Sequence, residues 1–180
     1  MAAHLLTGVR LLIVIPAALA FAGGAALLPA ILVALAIATD YYDGVLARRL
    51  GTASPAGRLF DHSTDFLFVT AGLSGASAAG VVPVVLPLLI AIAFTQYVVD
   101  SYFLHREKQL RMSRLGRWNG VLYFAPLVII ALARLPGVAG LGGALVALAT
   151  VLSWALVLST MASIVDRALA ARIRTPTGGP

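Results

Sequence analysis

The chain has 180 residues, of which 61% are hydrophobic and 11% charged, with a net charge of +6 and no cysteine. Its mean hydropathy of +0.98 excludes an ordinary soluble globular domain, and the missing thiols exclude disulfides and thiolate metal sites. One compact all-α membrane domain over residues 1–174 is expected, followed by a short flexible end at 175–180.

Six apolar stretches follow in chain order, at about residues 5–24, 26–47, 57–79, 82–104, 118–135 and 138–165. Most have roughly the 20 residues a helix needs to cross the hydrocarbon core. The first imitates a secretory signal but has no Lys or Arg before Arg10, so it reads as the first membrane helix. If the helices alternate in direction, eleven of the thirteen Lys and Arg residues fall on one side. Arg134 lies on the other side, and Arg10 lies inside the first span. The positive-inside rule then predicts six spans with both termini in the cytoplasm. The pI near 10.5 follows from this topology and from contacts with anionic lipid or phosphate, and nucleic acid is not an expected partner.

The second and third stretches carry Asp40, Asp43, Asp61 and Asp65. Carboxylates at membrane depth are costly and mark functional sites. Asp40 and Asp43 are spaced i, i+3; Gly57, Asp61 and Asp65 are spaced i, i+4, i+8. Each set faces one way, and a short polar turn lets the two faces meet. Four facing carboxylates without a cation would repel one another, whereas oxygen ligands of this kind suit Mg²⁺ or Mn²⁺. Two such ions can clamp the attacking and leaving oxygens of a phosphoryl displacement. Gly44 and Ala47 let a flat group approach the backbone, and Arg48 stands at the cytoplasmic mouth where it can hold a pyrophosphate oxygen.

The series Asp40-x2-Asp43-Gly44-x2-Ala47-Arg48-x8-Gly57-x3-Asp61-x3-Asp65 resembles the signature of the CDP-alcohol phosphatidyltransferases at every fixed position. Leu5-Leu6-Thr7-Gly8-Val9-Arg10 is also similar to that family's opening helix. The resemblance implies a six-helix homodimeric enzyme of the cytoplasmic membrane, active on its cytoplasmic side. It would move a substituted phosphate from a CDP-linked donor to an alcohol and release CMP, in phospholipid synthesis. By the same resemblance Asp40, Asp43, Asp61 and Asp65 hold Mg²⁺ or Mn²⁺, two ions per site, and Asp65 is also the general base. Gly44, Ala47 and Gly57 make room for cytidine, with Arg48 and Ser54 on the diphosphate. CDP-diacylglycerol is the expected donor; a soluble CDP-aminoalcohol used with diacylglycerol is the alternative.

The acceptor stays open. Phosphatidylglycerophosphate synthases continue the last motif as Asp-Pro-x-Ala-Asp-Lys, where this chain has Asp61-His62-Ser63-Thr64-Asp65-Phe66. Arg58, Arg111, Arg114 and Arg117 form a candidate site for a phosphorylated acceptor, or else simple positive-inside charge. Gln96 and Asp100 suit a neutral polyol or serine instead. His62 is turned about 100° from Asp61 on the helix and reads as a packing residue. Gly72, Ala76 and Gly80 make a small-x3-small row for a dimer face or for packing within the subunit. Asp166 and Arg167 read as solvated tail charges. A transporter also uses intramembrane carboxylates, but nothing repeats the aspartate hairpin as paired halves would.

Overall fold

The computed structural model describes residues 2–51, 54–99 and 114–173. Asp100, Arg111 and the 175–180 end lie outside them. The described residues are helical with no strand: α1 (Ala2–Leu12), α2 (Val14–Ala22), α3 (Leu28–Arg49), α4 (Pro55–Ala78), α5 (Val85–Val99), α6 (Arg114–Leu122), α7 (Phe124–Ala133) and α8 (Gly142–Ile173), with a 3-10 turn at Pro136–Leu141. Helix therefore occupies each of the six apolar stretches. Among the described residues, three helical segments are long and apolar enough to cross a membrane by length and composition: Leu28–Leu46, Leu115–Ala133 and Gly142–Leu169.

Proline explains where the first and fifth stretches divide. Pro16 and Pro126 each lack the N–H that would bond the carbonyl four residues back, on Leu12 and Leu122, and each ring crowds that carbonyl. The irregularity falls one residue later, at Ile13 and Tyr123, while Ala17 N–H to Ile13 O (2.9 Å) and Tyr123 N–H to Asn119 O (2.9 Å) carry the helices onward. Ser54 starts α4 as its N-cap, accepting from the Gly57 N–H at 3.0 Å, with Pro55 in the first turn where a missing donor costs nothing. At the other end, Gly80 adopts φ +75°, with Val81 N–H bonded to Ala76 O and Gly80 N–H to Ser77 O. That paired bonding closes the helix in a Schellman turn.

The α1–α2 arm lies across the aspartate hairpin: α1 packs on α3 and α4, and α2 packs chiefly on α4. The other half joins α7 and α5 to α8. Phe21, Phe68, Leu73, Leu127 and Ile130 form the center of the apolar core. Arg134 donates to the Ala20, Phe21 and Gly23 carbonyls at 2.8–2.9 Å, closing the C-terminal end of α2. Its solitary position in the charge pattern thus has a structural use.

Gly72 and Ala76 of the small-residue row pack within the subunit, whereas Gly80 stands in open space at the helix end. A Cβ on Gly72 would meet Leu127 methyls at 3.1 Å, and Ala76 is fully buried. The closest approach is at a glycine outside that row: a Cβ on Gly75 would lie 2.1 Å from the Ala18 backbone oxygen. Backbone cannot retreat as a flexible side chain does. Gly75→Val is therefore expected to destabilize the protein by about 3 kcal/mol, the upper range for overpacking, seen as a lower unfolding midpoint in detergent. An unchanged midpoint would contradict the close α2–α4 contact.

Candidate active site

Both aspartate helices present a row to one cavity of about 730 Å³. From α3 come Asp40, Gly44 and Arg48, and from α4 come Asp61, Asp65 and Val69, each set spaced i, i+4, i+8. Such a volume is typical of a small-molecule site. Beyond the carboxylates the wall turns apolar, with Phe66 and Phe94 stacked 4.1 Å apart, and Ile90 and Phe124 beside them. Arg117 from α6 and Arg167 from α8 also line it, so three arginines border the same space as three carboxylates.

The four aspartates converge as their spacing predicts. Ligand atoms of Asp40, Asp43 and Asp61 lie within 4.8 Å of one another, and so do those of Asp61, His62 and Asp65. Carboxylate oxygens at such spacing fit a hard divalent cation. His62 differs from expectation. The angle of about 100° between neighboring residues fixes where Cβ points, yet the imidazole reaches back to the Asp61–Asp65 side.

The residue that the sequence reading missed is Arg10. It is completely buried and lies among all four carboxylates: 3.5 Å from Asp40 Oδ1, 3.1 Å from Asp43 Oδ2 and 3.0 Å from Asp61 Oδ1, with a further hydrogen bond to Asp65 Oδ1. One turn earlier on α1, the Thr7 hydroxyl donates to Asp43 Oδ2 at 3.0 Å. A buried guanidinium requires such compensation. The available signal was an arginine inside an apolar span three residues after a threonine, which called for a named partner.

Other expected residues divide. Gly44 and Arg48 line the cavity together, and the atoms nearest a Cβ on Gly44 belong to the Arg48 guanidinium, at 3.4 Å. Ser54 and Gly57 bond each other at the start of α4 rather than lining the cavity. Ala47 lies in α3 and Arg114 begins α6. Arg58 is exposed and stands off the cavity, whereas Arg117 lines it. Gln96 is not on the wall; its amide donates to Ile164 O at 3.4 Å, linking α5 to α8. Arg167 is no loose tail charge. Because α8 runs past residue 165 to Ile173, its guanidinium lies 5.3 Å from the Tyr97 ring center, on the cavity side. Among the aromatics, Trp118, Trp154, Tyr41 and Tyr42 are exposed, as residues of an interfacial belt are, while Tyr97 is buried.

No curated protein and no solved structure matches the chain. Residues 1–162, by contrast, match the family model for CDP-alcohol phosphatidyltransferase, which takes in the first-helix arginine, both aspartate rows and most of α8. Members transfer a phosphate group from a CDP-alcohol to an alcohol with a divalent metal, and the three long apolar helices fit a membrane protein. With nine-tenths of its length covered by that match, this chain belongs to the CDP-alcohol phosphatidyltransferase family.

Proposed function

We propose that the chain is a six-span enzyme of the cytoplasmic membrane, with both termini and the cavity mouth on the cytoplasmic side. It takes the substituted phosphate of CDP-diacylglycerol to a small alcohol and releases CMP, one step of phospholipid synthesis. Residues 1–174 form the catalytic unit, and a homodimer is the assembly that the family resemblance implies. The observation that carries this reading is a cavity lined together by Asp40, Asp61 and Asp65, by Arg48, Arg117 and Arg167, and by an apolar wall. That wall suits an acyl-bearing donor, and the arginines suit its diphosphate.

Asp40, Asp43, Asp61 and Asp65 would hold Mg²⁺ or Mn²⁺, two ions per site, with His62 close enough to join the Asp61–Asp65 pair. When bound, the metal would supply charge stabilization for the leaving CMP phosphate. The remaining work falls to the chain. Gly44 leaves its stretch of wall open for the flat base, and Arg48 pairs with a diphosphate oxygen. Asp65 accepts the proton of the acceptor hydroxyl as that oxygen attacks the phosphorus in line. The new O–P bond forms, the bond to the CMP oxygen breaks, and CMP leaves with the electron pair. No covalent enzyme intermediate is required.

Arg117 and Arg167 favor an acceptor that itself bears phosphate, such as glycerol 3-phosphate or an inositol phosphate, over free inositol or serine. The test is CMP release from CDP-diacylglycerol by purified protein across those four acceptors. Turnover with a phosphorylated acceptor is expected. Turnover only with a CDP-aminoalcohol and diacylglycerol would reverse donor and acceptor, and turnover only with serine or inositol would remove the arginines from the acceptor site.

A further inference from the structure

The Arg10 contacts share a pattern that bears on how strongly the aspartates hold a cation. They engage one oxygen of each carboxylate: Oδ1 of Asp40, Oδ2 of Asp43, Oδ1 of Asp61 and Oδ1 of Asp65. The guanidinium reaches them from α1, a helix that contributes no carboxylate to the cluster. Asp40, Asp61 and Asp65 line the cavity, whereas Asp43 is buried and also receives the Thr7 hydroxyl. Arg10 itself has no exposed surface and does not line the cavity. All four carboxylates are thus backed on the α1 side by a permanent positive charge, and three of them, Asp40, Asp61 and Asp65, open to the cavity.

We infer that Arg10 is a built-in counter-cation that weakens divalent-metal binding at the four aspartates, keeping the metal exchangeable. This inference rests on the proposal that these aspartates are the metal site. Its physical basis is competition for the same negative charge. A guanidinium is always protonated, so its charge cannot be relieved by losing a proton. Burial shields the charge poorly, and a divalent ion drawn to the carboxylates meets Arg10 through the same oxygens or across a single carboxylate. Conversely, four carboxylates brought together without Arg10 would have no fixed cation among them, and the folded chain would depend on added metal to hold them. Removing Arg10 should therefore do two things together: tighten metal binding and make the fold more dependent on metal.

A merely structural arginine would act differently. If Arg10 only aligned the carboxylates, its removal would loosen the cluster and weaken metal binding. The two roles move affinity in opposite directions.

The test is a Mn²⁺ titration of purified protein in detergent, with free ion counted by electron paramagnetic resonance, for wild type, Arg10→Gln and Arg10→Lys. Arg10→Gln is expected to bind Mn²⁺ at least tenfold more tightly than wild type, while Arg10→Lys, which keeps the charge, stays within about threefold. Mn²⁺ should also raise the unfolding midpoint of Arg10→Gln more than that of wild type. If Arg10→Gln unfolds without metal, saturating Mn²⁺ is expected to restore it, and failure of that rescue would overturn the inference. Unchanged or weaker affinity in a folded Arg10→Gln would overturn it while leaving the metal site standing. Absence of Mn²⁺ binding by wild type would remove both the metal site and the inference.

Discussion

Asp65→Asn is expected to reduce turnover at least a hundredfold while leaving affinity for the CDP-linked donor within a few fold of wild type. The substitution keeps the size of the side chain and one carbonyl oxygen for the Arg10 hydrogen bond, so the packing of α1 against α4 is retained. What it removes is the capacity to accept a proton from the acceptor hydroxyl, and general-base catalysis contributes about 10²–10⁴-fold. Asp40, Asp43 and Asp61 remain as one group of closely spaced ligands, which is why donor binding should outlast the loss of chemistry. Steady-state CMP release, paired with a donor titration, reads both quantities. Turnover above about a tenth of wild type would contradict the base role of Asp65.

The second large effect is expected from Gly44→Leu. Gly44 is on the cavity wall one turn from Asp40 and one turn from Arg48. A Cβ there already meets the Arg48 guanidinium at 3.4 Å, and the rest of a leucine would extend into the space between that arginine and the carboxylates. Donor affinity should fall at least tenfold, while the unfolding midpoint stays near that of wild type because the added atoms enter a cavity and not the core. Unchanged affinity for a CDP-linked donor would remove cytidine from this stretch of α3.

Much of the site was legible because helical spacing is a local property. Asp40 and Asp43 on one helix, and Asp61 and Asp65 on the next, share faces by the period of the helix alone. The Ser54-Pro55 start of α4 was likewise written locally, in a capping side chain and a residue suited to the first turn. Arg10 was not legible in this way. Its partners lie 30 to 55 residues away in sequence, and only the placement of α1 against both aspartate helices brings them to it. The charge count recorded an arginine inside a span and gave no partner.

Two other differences have simple causes. Arg167 was assigned to a tail because the apolar pattern ends near residue 165, yet α8 continues through Asp166, Arg167 and Arg172 to Ile173. A helix already formed over an apolar stretch extends at small cost into residues of fair helix propensity. Arg58 was grouped with the other arginines by its nearness to Gly57, but it is exposed and does not line the cavity that Arg117 lines. Sequence nearness to a motif does not decide which face a side chain takes. The same limit applied to His62, where the helical angle described Cβ and left out the reach of the ring.

The measurement that tests the central claim most directly is phosphorus NMR of purified protein with CDP-diacylglycerol, Mg²⁺ and glycerol 3-phosphate or an inositol phosphate. The account predicts that the diphosphate signals disappear as CMP and a new phosphodiester rise in equal amounts, and that a chelator or Asp65→Asn stops both. Product formation that continues in chelator, or an intact donor with every acceptor while wild type remains folded and metal-bound, would contradict it.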